Sequence, residues 1–163
     1  MENNTSGFLM EQYRKKLEKF CAFQERCISE IKIKLEKIKV PHEFWEPLIS
    51  YLVDNNFVNE ERFTEIYVRS KINQKGWGPL KIKMELRKKQ VNDSLINKYL
   101  LEFQNNDREE LLNFWLQKKL KSIKNDNRQN IREKLIRFGI SKGFETDKVV
   151  EAVNKIIKAQ PED

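Results

Sequence analysis

The stretch IKMELRKKQVNDSLINKYLLEF, residues 82–103, decides how the whole chain is read. Its apolar residues Ile96, Leu100 and Phe103 stand four and three apart, the spacing of one helix face. Ile82 and Leu86 repeat that spacing ahead of Val91, and Asn92 or Asp93 supplies an N-cap, so the stretch holds two helices. The same register occurs twice more. With Val40, Val91 and Phe144 superposed, Ile31, Ile82 and Leu135 stand nine residues earlier, and Trp45, Ile96 and Val149 five later. Ile49, Leu100 and Val153 follow at nine, and Leu52, Phe103 and Ile156 at twelve. The copies lie about 50 residues apart, a period that marks a repeat array. One position departs: Gly139 stands where the other copies have Leu35 and Leu86. Glycine inside a helix costs about 1 kcal/mol relative to alanine, so a looser, kinked second helix is expected in the third copy.

Each copy reads as three helices. In the middle one, Asn59 caps a first helix from about Glu60 to Asn73, and Lys75-Gly76-Trp77-Gly78 is the break. Pro79 suits the first turn of a second helix to about Lys89, and the third ends near Phe103. Gln104 to Asp107 is a polar connector, and Asn125 to Asn130 separates first from second helix in the third copy. In the first copy Pro47 is tolerable only if the third helix starts near Phe44 to Glu46. The expected organisation is a flexible tail over 1–11 and three-helix repeats over 12–57, 58–106 and 107–160. Units that bury their faces against neighbours predict an all-α, elongated, curved, solenoid-like rod.

Composition agrees. Only five glycines and four prolines occur in 163 residues, which favours helix over sheet. No apolar run approaches the roughly 18 residues needed to cross a bilayer. Met1 to Gly7 lacks the charged start and apolar stretch of a signal peptide, so a cytoplasmic location is expected. Cys21 and Cys27, on a single helix, would lie too far apart for a disulfide and read as a reduced pair. One histidine, His42, gives no material for a His/Cys metal cluster and little for a nucleophile pair. No catalytic residue, metal or cofactor is expected.

The formal net charge of +7 favours a polyanionic partner. It is unevenly placed. Arg69, Lys71, Lys75, Lys81, Lys83, Arg87, Lys88 and Lys89 face only Glu85 within residues 69–89, a net of +7. Residues 118–137 carry Lys118, Lys119, Lys121, Lys124, Arg128, Arg132, Lys134 and Arg137 against Asp126 and Glu133, a net of +6. Residues 43–65 hold six acids against Arg62, a net of −5. Stacked in register, the second helices would line up a basic stripe suited to a phosphate backbone. Lysine runs more often mean a solvated helix face. The scarcity of Glu–Lys pairs across 69–89 argues for the stripe. Its candidate contacts are Arg69, Lys71, Lys75, Trp77, Lys81, Lys83, Arg87, Lys88, Lys89, Lys118, Lys119, Lys121 and Arg132. Trp77 reads first as a plug between two helices, with base stacking as the alternative. Trp45 and Trp115 fall on apolar stripes and read as core.

Glu61-Arg62-Phe63, Tyr67-Val68-Arg69-Ser70-Lys71, Lys75-Gly76-Trp77-Gly78-Pro79-Leu80-Lys81-Ile82 and Glu85-Leu86 closely resemble the central block of the RecX regulatory proteins. Tyr51-Leu52 to Phe57 and Lys142-Gly143-Phe144 are similar to that family too, so the resemblance spans roughly Tyr13 to Ile157. It implies three tandem three-helix repeats. It also implies a non-enzymatic protein of the bacterial cytoplasm that binds the RecA recombinase and its nucleoprotein filament. Such a protein inhibits ATP hydrolysis and strand exchange and moderates recombination, DNA repair and the SOS response. Gly139 and a lysine-rich first repeat depart from the family pattern. A monomer that also touches DNA is the expectation. Two other readings remain: a DNA-binding helical module without a recombinase partner, and a solenoid whose stripe meets an acidic protein.

Overall fold

The computed structural model describes residues 2–103, 105–124 and 126–160, with side chains from residue 6 onward except at 104–106 and 125. Among the described residues there are nine α-helices and no strand. They are α1 (Glu2–Phe23), α2 (Ile28–Lys37), α3 (Trp45–Asp54), α4 (Glu60–Lys75), α5 (Pro79–Lys88), α6 (Asp93–Glu102), α7 (Asn105–Ser122), α8 (Arg128–Lys142) and α9 (Thr146–Lys158). A 3-10 turn, His42–Phe44, leads into α3. The principal packing joins α1–α3, α4–α6 and α7–α9 among themselves, giving an all-α repeat rod.

Each triplet encloses a buried cluster: Leu17, Ile31, Leu35, Leu48 and Leu52 in the first; Phe63, Ile82, Leu86, Val91 and Ile96 in the second; Leu116, Leu135, Phe144, Val149 and Val153 in the third. We keep repeats at 12–57, 58–106 and 107–160 as a proposal; Val58 packs with the first cluster and Cys27 with the second. The aligned apolar register is the buried one, apart from Trp45 and Ile49, which are half-buried. Leu48 takes the inner position there. Pro41 and the 3-10 turn change the entry into α3, and Trp45 instead donates its indole N–H to the Val40 carbonyl (2.9 Å) and stacks on His42.

The repeat extends to the backbone. Lys39, Gln90 and Gly143 end the second helices with positive φ of 55°, 60° and 94°. The next amide in each case, Val40, Val91 or Phe144, donates to the carbonyl of Leu35, Leu86 or Gly139 at 3.0, 3.1 and 3.4 Å. This is a Schellman-type closure that satisfies an orphan carbonyl and drives the following apolar side chain into the core. Asn59, Asn92 and Asn127 cap α4, α6 and α8 with their side-chain oxygens.

Several expectations change. Helix α1 starts at Glu2, so residues 2–11, read as a flexible tail, are helical. Met10, Tyr13, Leu17 and Cys21 pack on the first core, and extending a helix already anchored there costs little. The cysteines are not on one helix: Cys21 lies in α1 and Cys27 is the residue before α2. Both are free and buried, and Cys27 enters the middle core. The connector expected over 104–107 is shorter, since α7 begins at Asn105; Gln104 lies outside the described residues, as does Asn125 in the next break. Helix α8 runs unbroken through Gly139, and the site is tight, not loose. A Cβ there would come within 2.6 Å of Val149 Cγ1, so the missing side chain is what lets α9 pack close.

Candidate polyanion interface

The Gly76-Trp77-Gly78-Pro79 break is the joint between the second and third repeats. The Gly78 amide donates to the Lys142 carbonyl (2.7 Å) and the Leu80 amide to the Gly143 carbonyl (3.0 Å). Backbones can approach this closely because no Cβ intervenes. One on Gly78 would meet the Gly143 oxygen at 2.4 Å, and one on Gly76 would strike the Trp115 indole at 1.9 Å. Trp115 is therefore a joint residue half-exposed beside Gly76, and not part of the third core as its apolar stripe suggested.

Lysines gather around this joint. Lys71 and Lys81 place their ammonium groups 4.9 and 4.7 Å from the centre of the Trp77 ring. Lys118 and Lys142 stand 4.8 and 4.1 Å from that of Trp115. Lys119 and Lys142 approach Phe138 at 5.7 and 5.5 Å. Lys142 also donates to the Lys75 carbonyl (2.8 Å) and Lys81 to that of Ser141 (3.3 Å). Trp77 is half-buried against the middle core and holds two lysine ammonium groups near its ring. Burial, and then the like charges of Lys81, Lys118 and Lys75, hold the Lys142 amine below the usual lysine range. Among the described residues, none of Lys71, Lys75, Lys81, Lys118, Lys119 and Lys142 has a carboxylate at ion-pair distance. Such a cluster repels itself and is relieved by an anion.

The rest of the expected stripe is different. Arg87 makes a two-pronged ion pair with Asp93 (2.8 and 2.7 Å), which holds that carboxyl below its usual range. Lys88 pairs with Glu85, Arg69 with Glu65, and Lys89 with Glu30 across the first joint. Lys83 donates to Asn97 and Arg132 to Asn154, and Lys121 is exposed. The structure thus brings Lys71, Lys75, Trp77, Lys81, Lys118 and Lys119 together and leaves Arg69, Lys83, Arg87, Lys88 and Lys89 locally bonded. Sequence reasoning missed Lys142, Trp115 and Phe138 as site residues; the glycines at 76 and 143 were the available signal. A groove of about 590 Å³ continues beyond Phe138, where Lys119, Lys124, Lys134 and Arg137 line it with Ile123.

The first joint is ionic. Arg62 pairs with Glu25 (2.6 Å), Lys89 with Glu30 (2.7 Å), and Glu60 accepts from the Ile28 amide (2.7 Å). No group of acids, histidines and cysteines that could hold a metal occurs among the described residues, and no described helix is long and apolar enough to cross a membrane.

Fold and site together define a basic, three-unit helical-repeat protein with lysines gathered at its second joint. Comparison with known proteins gives the family. Residues 59–100 match the second three-helix domain of RecX, and residues 107–153 the third. The chain belongs to the RecX family. It is 32% identical over 114 residues to "Regulatory protein RecX" of Clostridium tetani, covering 69% of this chain and 52% of that one. The proteins of that name from Oceanobacillus iheyensis and Clostridium acetobutylicum are each 28% identical over 78% of this chain, which covers 47% and 61% of them. The chain thus spans about half to three-fifths of the curated relatives' length. A crystal structure of regulatory protein RecX superposes with a TM-score of 0.82 at 25% identity, covering 96% of this chain and 76% of the other. RecX from Lactobacillus salivarius gives 0.76 at 21% identity, with 91% and 96% covered, a likeness of fold.

Proposed function

We propose that this chain regulates the RecA recombinase in the bacterial cytoplasm, binding its nucleoprotein filament as a monomer and inhibiting ATP hydrolysis and strand exchange. The family membership and the regulatory name of the relatives support the role. The observation that carries a polyanionic surface as the target is the lysine belt at the second joint. Lys71, Lys75 and Lys81 from one repeat and Lys118 and Lys142 from the next are held together by backbone bonds. A rod that spans neighbouring recombinase protomers, and touches the DNA they enclose, restricts filament growth and turnover through many modest contacts acting together. Nothing in this requires bond chemistry by the protein.

The test compares two charge reversals in a RecA DNA-dependent ATPase and strand-exchange assay. Lys71→Glu with Lys81→Glu and Lys118→Glu is expected to abolish inhibition, whereas Arg87→Glu with Lys88→Glu, already neutralised by neighbours, keeps most of it. Full inhibition by the belt variant sinks the proposal. DNA binding without any effect on the recombinase favours the second reading, a nucleic-acid module, which the same belt also fits.

A further inference from the structure

We propose that Lys142 is an acyl-acceptor site, at which acylation by small anionic acyl donors switches off the joint's polyanion surface. Its regulatory consequence rests on the function proposed above; the modification itself does not.

Three features single out this lysine. First, its ammonium group is crowded by cations from every element at the joint: Lys75 on α4, Lys81 on α5 and Lys118 on α7. No described carboxylate pairs with it, and aromatic rings of Trp115 and Phe138 wall it. Burial and the crowding of like charges outweigh the pull of the ring faces and favour the neutral amine, which is the nucleophile, and the lowered proton affinity of Lys142 agrees. Second, its position is fixed, because one N–H donates to the Lys75 carbonyl at 2.8 Å while the side chain stays half-exposed. The lone pair of a neutral amine so held points away from that carbonyl. Third, the surrounding ammonium groups concentrate anionic donors such as acyl phosphates and acyl thioesters of coenzyme A. Exposed lysines elsewhere, Lys16 for example, have the access without the crowding.

The step is an ordinary acyl transfer. The Lys142 nitrogen bonds to the carbonyl carbon, the carbon–oxygen bond to phosphate (or carbon–sulfur bond to the thiol) breaks, and the leaving group departs with its electron pair. The amine proton passes to solvent. The product amide can still donate to Lys75 but carries no charge, and its acyl group lies over Trp115 where an anion would approach.

The full chain, without DNA or recombinase, is incubated with acetyl phosphate and separately with acetyl-coenzyme A, and acylation at each lysine is followed by peptide mass spectrometry. Lys142 is expected to react several-fold faster than Lys16 with at least one of them, which also identifies the donor. Adding Lys81→Gln and Lys118→Gln together should bring its rate down toward that of Lys16. Equal or slower reaction of Lys142 with both donors overturns the proposal, as does an unchanged rate in the double variant. The consequence is read separately. Lys142→Gln, which removes the charge as acylation does, is expected to weaken DNA binding several-fold. Fast acylation with no effect of Lys142→Gln refutes the switch and, with inhibition intact, leaves the recombinase reading untouched.

Discussion

Gly78→Ala isolates what the second joint contributes. Gly78 has φ −80° and ψ 170°, ordinary extended backbone for alanine, so the substitution strains nothing within the second repeat. The new Cβ would instead lie 2.4 Å from the Gly143 oxygen, 2.5 Å from its carbonyl carbon and 2.7 Å from the Phe144 nitrogen. All three are backbone atoms, and no side-chain rotation relieves the contact. The repeats must part, and the bonds from Gly78 to Lys142 and from Leu80 to Gly143 are lost. At about 0.5–1.5 kcal/mol each, the two bonds account for about 1–3 kcal/mol. The joint should therefore weaken by about 1–3 kcal/mol, or roughly 5- to 150-fold in its opening equilibrium. Amide hydrogen exchange resolved by residue is the assay. Leu80, whose amide crosses the joint, should exchange faster by that factor, while Val91, whose amide bonds Leu86 within its own repeat, should hardly change. Undiminished protection at Leu80 would show that the close approach does not hold the repeats together.

Further outcomes follow from the structure. Gln90→Gly should raise stability by about 0.5–1 kcal/mol in thermal unfolding, because a left-handed non-glycine residue costs roughly 1–2 kcal/mol and glycine's added freedom returns only part; Gly143→Ala should do the opposite, adding a contact at 2.3 Å to Lys81 Cβ. Burial, against the smaller opposing pull of Arg26, pushes the Cys21 thiol up from 9.0 to about 11. The folded state thus holds this proton more tightly, so the thiol's contribution is complete below pH 9.0 and fades as pH rises toward about 11; denaturant midpoints across that window should fall less in Cys21→Ala. Lys118→Gln should lower the slope of log affinity for DNA against log salt by about one, with Arg87→Gln leaving it unchanged.

The fold was largely legible because helical periodicity is local. Ile82, Leu86, Ile96 and Leu100 declare their faces within one or two turns, and Asn59, Pro79 and Asn92 mark starts by their own chemistry. Where the reading slipped, a non-local term decided. Leu48 displaced Trp45 and Ile49 because the chain enters α3 through a 3-10 turn. Gly139 looked like a weak point, yet a glycine inside a helix is also where a neighbouring helix packs closest, and Val149 fills that space.

The basic stripe divides along the same line. Sequence alone determined that positive charge concentrates at first-helix ends and second helices, and that Gly76, Trp77 and Gly78 interrupt it. Tertiary structure decided which of those charges stay available. Lys89 meets Glu30, a carboxylate 59 residues away, and Lys142 meets Trp115, Lys75 and Lys81 only because two glycine turns interlock. Periodicity is set by backbone geometry within a few residues. Charge compensation depends on which distant side chains arrive within a few ångströms, and that is fixed only once the repeats have docked.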